Sequence, residues 1–329
     1  MSESLRAGLI GIGAMGRHHA RLLREVDGVD LVAIADPGGD PFGVAGDLTV
    51  LADVDALIET GVDMAVVAIP TRFHFDAAMK LADAGVHTLV EKPISQTLEE
   101  GREMTDAFAA AGLVGAVGHV ERFNPALQQL RQRIEAGDLG EVYQVATRRQ
   151  GPFPARIADV GVGKDLGSHD VDLTAWVAQS PYRSVYGQTV HKSGREHEDM
   201  LIATGRLENG ILVNHLINWL SPMKERLTIV TGERGAFVAD TSSGDLTFFA
   251  NGTFPLEWEA VSSFRGVSEG DMTRFAFPKR EPLRSEHEAF RDAVLGERHD
   301  VVTMEEGLRT LAVVEGVLES ARTGQAVTF

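Results

Sequence analysis

The sequence predicts an α/β protein in two parts. Residues 1–120 form a doubly wound parallel sheet, and residues 121–329 form an α+β domain built on a large, mostly antiparallel sheet. Three observations lead there. An apolar run near the N-terminus ends in three spaced glycines and passes straight into a helix. From that point to Val117, apolar strands alternate with helical stretches, the order that wraps helices over both faces of a parallel sheet. Beyond Glu141 the apolar period moves towards two, as expected of strands with one buried face. A chain of 329 residues suits two cores, at roughly 150 residues per domain.

The first strand, Arg6 to Ile12, runs into Gly11-Ile12-Gly13-Ala14-Met15-Gly16 and then a helix, Arg17 to Glu25. Gly11 permits a tight turn, Gly13 lets a pyrophosphate approach the backbone, and Gly16 allows close packing of helix on strand. A glycine pattern alone is weak and needs an acidic partner about 20 residues on. Asp36 supplies it at the end of Leu31 to Ala35. Its carboxylate would accept from ribose hydroxyls and repel a 2′-phosphate, so the expected cofactor is NAD, held by Gly11, Gly13, Ala14, Met15, Gly16 and Asp36.

Met64 to Ile69 is an unbroken apolar strand of the kind buried on both faces. It ends in Pro70-Thr71-Arg72-Phe73-His74, where Pro70 and Thr71 would face the dinucleotide and Thr71 would cap a helix running to Ala84. His74 either touches the cofactor or is structural. The next strand, through Leu89 and Val90, ends in Glu91-Lys92-Pro93. Open α/β sheets bind ligands at this edge, which places Glu91, Lys92 and Pro93 at the cofactor and Lys92 beside its reactive end. Thr97 to Glu100 has capping-box spacing, opening a helix that stops at Gly112, and Val114 to Val117 is a further strand.

The pattern changes at Gly118 to Pro125, with Asn124 as N-cap and Pro125 in the first turn of a helix reaching Ala136. Strands follow at Val142 to Thr147, Ser184 to Val190, Leu201 to Leu207, Ile211 to Trp219, Arg226 to Val230 and Phe237 to Ala239, with Asn209-Gly210 a hairpin signal. Capping-box patterns at Ser285 and Thr303 open two final helices, and residues 250–284 are the least regular stretch. Between the strands, Asp165, His169 and Asp172 stand four and then three apart, on one face if the segment is helical. A histidine beside a carboxylate suits proton exchange near neutral pH. The same spacing could make a metal-ligand pair, but no further ligands cluster with it and no metal is expected. Its structural reading is a capping aspartate and a hydrogen-bonded histidine.

The chain has 31 basic and 48 acidic residues, a net charge of −17, which disfavours nucleic acid and anionic membranes as partners. It contains no cysteine, removing disulfides, thiolate metal sites and cysteine nucleophiles and fitting a reducing compartment. The first strand begins too soon for a signal peptide, and no apolar run approaches the roughly 18 residues of a membrane span. The expectation is a cytoplasmic protein.

With Gly11-x-Gly13-x-x-Gly16, Asp36, Glu91-Lys92-Pro93 and Asp165-x-x-x-His169 in this order, the chain resembles the glucose-fructose oxidoreductase/inositol dehydrogenase/MocA family over its full length. The resemblance implies an NAD-binding Rossmann domain and a second domain whose sheet often serves oligomerisation, hence a homodimer or homotetramer. It also implies Lys92 and His169 at the reacting hydroxyl, with Asp165 in support. Gly118 to Pro125, and Gly151 to Arg156 through His169 to Asp172, look like the branch that oxidises the 3-hydroxyl of UDP-N-acetylglucosamine. A nucleotide sugar would need local cations in so acidic a chain. Arg122, Arg148, Arg149, Arg156 and Lys164 are the candidates, with Asn124 beside them; any single arginine reads more readily as a solvated surface charge.

The reaction expected is oxidation of a secondary sugar hydroxyl. Either His169, oriented by Asp165, or Lys92 would take the proton, and Lys92 would stabilise charge on the oxygen. Inositol or a free sugar is the alternative substrate. A non-catalytic NAD- and sugar-binding sensor is the alternative from another class.

Overall fold

The structure, a computed structural model, describes residues 4–154, 160–252, 268–297 and 300–329. The chain divides into two compact units: one takes it through Val120 and adds Glu281–Ala312, and the other comprises Glu121–Arg280 and Val313–Phe329.

The first unit is built on strands β1 (Leu5–Ile10), β2 (Val29–Ala35), β3 (Val50–Leu51), β4 (Met64–Val67), β5 (His87–Glu91) and β6 (Gly115–Gly118). All pairings are parallel, in the order β3-β2-β1-β4-β5-β6. The reversal of strand order between β1 and β4 is the switch point at which such sheets bind ligands. Alternate residues of β4 enter opposite cores. Ala65 and Val67 pack with Leu57, Leu81, Met104 and Phe108, from α2 (Val54–Glu59), α3 (His74–Asp83) and α4 (Leu98–Ala110). Met64 and Val66 pack with Ala20, Leu23 and Phe290, from α1 (Gly16–Glu25) and the helix Pro282–Val294. Burial on both faces explains why this strand is an unbroken apolar run.

Thr97 caps α4 with the reciprocal Glu100 bond, as its spacing predicts. Thr303 and Glu306 form the same exchange, with Thr303 N donating to Glu306 at 3.0 Å and Glu306 N to Thr303 at 3.2 Å. The expected box at Ser285 is a correction: the helix starts at Pro282 after Glu281, so Ser285 and Glu288 lie inside it, because proline fixes the first turn earlier. Thr71 is a second correction. It lies in a 3-10 turn, Thr71–Phe73, and α3 begins only at His74 without a side-chain cap.

The second unit holds a nine-stranded sheet, and its first helix α5 (Pro125–Glu135) is capped by Asn124, which accepts from Ala126 N at 3.0 Å. In chain order the strands are β7 (Val142–Pro152), β8 (Tyr182–Val190), β9 (Met200–Leu207), β10 (Leu212–Asn218), β11 (Leu220–Gly232), β12 (Gly235–Asp240), β13 (Asp245–Gly252), β14 (Ser268–Arg274) and β15 (Val327–Thr328). Among the described residues of this sheet only β7 and β10 pair in parallel; the other ladders are antiparallel. Strands β13 and β14 lack clean alternation and escape the sequence reading. Val145, Ala203, Val213, Val230 and Phe237 point inward onto α5, onto α6 (Ser168–Ala178) and onto Val313, Val314 and Val317. The Asn209-Gly210 turn forms: Gly210 has φ +91°, and Leu207 N donates to Ile211 O at 2.9 Å.

Register puts Tyr186, Ile202, Leu212, Phe249 and Met272 on the opposite face. Each is exposed, by 37% at Tyr186 and up to 66% at Met272. On the inner face, His215 meets Thr147 Oγ1 at 2.7 Å and Tyr182 OH at 2.9 Å. A neutral imidazole has one donor and one acceptor, and two hydroxyls satisfy both. Burial, against a weaker pull from Asp170, lowers the His215 pKa from 6.5 to about 4. The stability held by neutral His215 is complete above the unfolded value and is lost as the pH falls towards the folded one, where only the unfolded chain takes the proton. Urea denaturation at pH 7 and pH 4 should show the wild-type chain losing about 3 kcal/mol more than His215→Gln. Equal losses would remove His215 from the acid response.

Candidate active site

In a parallel sheet every strand ends on the same edge, so the turns after β1, β2, β4 and β5 gather there. Gly11, at φ +90°, donates its N–H to Ala35 O at 2.8 Å. A Cβ at Gly11 would lie 2.6 Å from Ala68 O, and one at Gly16 would lie 2.0 Å from Gly11 O. Both positions are glycine for the sake of the fold. Gly13 differs: it is exposed, and a Cβ there would meet nothing within 4 Å. Met15 precedes α1 without a side-chain cap, and the helix's first turn carries no acidic group. Asp36 accepts from Ile12 N at 2.9 Å and from Gly38 N at 2.8 Å, which fixes a half-buried carboxylate against the glycine turn. Open space above a glycine, a helix N-terminus with no side-chain cap and a fixed carboxylate fit a dinucleotide's pyrophosphate and ribose.

Pro70 and Thr71 follow β4 on this edge, Thr71 in its 3-10 turn. His74 is buried, with Nδ1 3.0 Å from Pro93 O and Nε2 2.9 Å from Ile69 O, so its ring ties the turn after β4 to that after β5. Burial, outweighing the pull of the two carbonyls, lowers its pKa. The Lys92-Pro93 peptide is cis. Glu91 accepts from Lys92 N at 3.1 Å and lies 2.9 Å from Nε2 of the fully buried His19. Nδ1 of His19 is in turn 2.9 Å from Nε2 of His287. The sequence reading passes over both histidines. The signal for His19 was its place among Gly16, Ala20, Leu22 and Leu23 on the inward face of α1, where an imidazole needs partners.

Asp165 and His169 belong to the second unit. Gly163–Gly167 is a π-helical turn that runs into α6, so the pair does not lie on one α-helix as its spacing predicts. Such single turns inside helices redirect side chains. Asp165 is buried and His169 half-buried. Glu198 accepts from Gly163 N at 2.8 Å and crowds Gly161, where a Cβ would lie 2.1 Å from its carboxylate. Sequence alone offers no pointer to Glu198.

The candidate cations are engaged with carboxylates. Arg122 is buried and donates to both oxygens of Asp172, at 2.8 and 2.7 Å. Arg149, also buried, donates to Asp170 at 2.6 Å and Glu121 at 2.9 Å. Burial works against the charges of Arg149 and Glu121, yet Asp170 and then Glu121 raise the Arg149 pKa, and Arg149 lowers that of Glu121. The surface-charge reading is therefore corrected for both arginines. Lys164 lies 2.5 Å from Glu315, and the more exposed Arg148 lies 3.0 Å from Glu225. Asn124 spends its side chain on the α5 cap and on Thr241 O, at 3.0 Å. Arg156 lies outside the described residues. Among the described residues no group of three or more His, Cys, Asp or Glu is placed to hold a metal ion, and no helix is long and apolar enough to cross a membrane.

Residues 5–119 match the model of an oxidoreductase family with an NAD-binding Rossmann fold, and residues 131–329 match the same family's C-terminal alpha/beta domain. UDP-N-acetylglucosamine 3-dehydrogenase of Acidithiobacillus ferrooxidans is 30% identical over 94% of this chain and 94% of its own length. The scyllo-inositol 2-dehydrogenase (NAD(+)) of Bacillus subtilis is 32% identical, but the match spans only 57% of this chain and 58% of that relative. The solved structure of UDP-N-acetylglucosamine 3-dehydrogenase GnnA from Acidithiobacillus ferrooxidans superposes with a TM-score of 0.83 at 28% identity, covering 96% of this chain and 97% of that one.

The contrast among the glycines can be measured. Gly13→Ala should leave the melting temperature unchanged and weaken NADH binding about ten-fold or more, for the loss of roughly 1.4 kcal/mol at one obstructed backbone contact. Gly16→Ala should lower the melting temperature itself. NADH titration by fluorescence checks the pair, and unchanged affinity in Gly13→Ala would detach Gly13 from the cofactor.

Proposed function

We propose, since the chain belongs to the Gfo/Idh/MocA oxidoreductase family, that it catalyses NAD-dependent oxidation of a secondary hydroxyl of a sugar, the 3-hydroxyl of UDP-N-acetylglucosamine or a similar nucleotide sugar. The observation that carries the chemistry is Lys92, which follows β5 on the strand-end edge shared with Gly13 and Asp36. The substrate rests on similarity to the UDP-N-acetylglucosamine 3-dehydrogenase along 94% of both chains.

Bound NAD supplies the hydride acceptor, while the protein binds, orients and manages the proton. Gly11, Gly13, Ala14, Met15 and Gly16 would hold the pyrophosphate, Asp36 the ribose, and Pro70 and Thr71 would border the dinucleotide beside Glu91, Lys92 and Pro93. His169, oriented by Asp165, takes the hydroxyl proton as the carbon gives up hydride. The Lys92 ammonium donates to the same oxygen as negative charge develops there. Arg122 supports the site through Asp172. Swinging it onto a diphosphate would strand a buried carboxylate, at about 3–5 kcal/mol. Lys164 and Arg148, less deeply buried, are the better diphosphate ligands among the described candidates.

Oxidation of inositol or a free sugar is the second reading. It is favoured by the carboxylates that already face Arg122, Arg148, Arg149 and Lys164. The exposed apolar side chains on the open sheet face support pairing with a second copy of the chain.

Incubating the protein with NAD and UDP-N-acetylglucosamine, myo-inositol or glucose should raise NADH absorbance with the nucleotide sugar. Activity with myo-inositol alone would move the substrate and keep the chemistry. Lys92→Ala should lower kcat by about 10²–10³-fold with NADH affinity retained; full turnover would sink the assignment. Ile202→Asp should shift sedimentation towards the monomer, and an unchanged sedimentation coefficient would exclude the open face as the contact.

A further inference from the structure

Two buried histidines of the first unit, His287 and His19, lead to Glu91. It pairs in register with Gly118 at the end of β6, where a Cβ would come within 3.4 Å of its carboxyl group. One of its oxygens accepts from Lys92 N at 3.1 Å and the other lies 2.9 Å from His19 Nε2. Behind His19 stands His287, its ring edge-on at 72° with centroids 5.1 Å apart.

Donor and acceptor counting orders the chain. An ionised Glu91 only accepts, so His19 must donate from Nε2. With the His19 ring neutral, its Nδ1 accepts, and His287 donates from its own Nε2. The remaining nitrogen of His287, Nδ1, is buried without a hydrogen-bond partner among the described residues, as suits the unprotonated nitrogen of a neutral ring. Burial, then the nearby His19, lowers the His287 pKa well below the usual histidine value. Burial would raise the Glu91 carboxyl, but the hydrogen bond and charge of His19, and then the charge of Lys92, bring it below the usual carboxylate value. Donation thus runs in one direction, from the helix Pro282–Val294 through α1 to the end of β5, and the carboxylate at its end also holds the amide of Lys92.

We propose that His19, backed by His287, is a positioning residue for Lys92: it fixes the Glu91 carboxylate, and Glu91 fixes the backbone from which the Lys92 side chain departs. A flexible lysine reaches one point reproducibly only if its root is held, and small displacements at a reacting centre are expensive in rate. The inference rests on the reading that Lys92 acts at the substrate hydroxyl.

Three variants of the full chain test it: His19→Leu, which fills the space without a donor; His19→Gln, whose amide N–H can replace Nε2; and Lys92→Ala. His19→Leu should lower kcat about ten-fold or more, with substrate KM and NADH Kd within about two-fold of wild type, and His19→Gln should recover most of the loss. A purely structural role would lower the melting temperature of both His19 variants and give no such rescue. Wild-type kcat in His19→Leu, or equal impairment of both, overturns the proposal. If His19→Leu does not fold, Glu91→Gln takes its place: lowered kcat with unchanged NADH affinity supports the proposal, and wild-type kcat overturns it. Independently of turnover, the cofactor-free protein should show a downfield imidazole N–H resonance that Glu91→Gln removes; a resonance indifferent to that change breaks the link. Should Lys92→Ala keep full activity, the catalytic reading of Lys92 falls. Loss of activity there with an unimpaired His19→Leu leaves that reading standing and removes only the positioning role.

Discussion

Parallel pairing of β1, β4 and β5 is the constraint on which the candidate site depends. It sends every strand end to one edge, so the glycine turn after β1, Asp36 after β2 and Lys92 after β5 converge without any side chain having to bring them together. Close approach then does the rest. Gly11 and Gly16 leave no room for a Cβ, and their glycines let α1 start directly over β1. That start sets the inward phase of α1, and the phase delivers His19 to Glu91.

The second unit solves a different problem, that of buried charge. Helix α6 buries both Asp170 and Asp172, and each meets an arginine: Arg149 and Arg122. Breaking one such contact would leave a desolvated carboxylate at a cost of several kcal/mol, which is why these arginines serve the architecture before any ligand. Ahead of α6 the π turn holds Asp165, and Glu198 anchors its first amide. The glycines at 161 and 163 give the segment room for that carboxylate. The buried carboxylates therefore do different work here: Asp170 and Asp172 hold cations, and Glu198 holds a backbone turn.

Legibility in the sequence followed the range of the forces involved. The unbroken run at Met64 to Val67, the alternation in β8 to β10, the Thr97 and Thr303 boxes and the Asn209-Gly210 turn each express interactions among neighbours in the chain, and each is readable. Thr71 and Ser285 carry suitable local patterns and still do not cap, because the preceding backbone enters a 3-10 turn in one case and an earlier proline-led helix in the other. Strands β13 and β14 sit in a stretch where exposed and inward residues do not alternate cleanly.

The sequence by itself determined the strand and helix alternation that carries the candidate site, the glycine cradle with its acid, and the presence of a lysine at a sheet edge, since periodicity and steric exclusion at glycine are properties of a few adjacent residues. Tertiary structure alone decided which polar groups meet. His19 finds Glu91 and His287 across 72 and 268 positions of sequence, and Arg122 finds Asp172 across 50. A hydrogen bond between distant residues leaves no periodic trace in the chain; it exists only once packing has brought donor and acceptor to within about 3 Å.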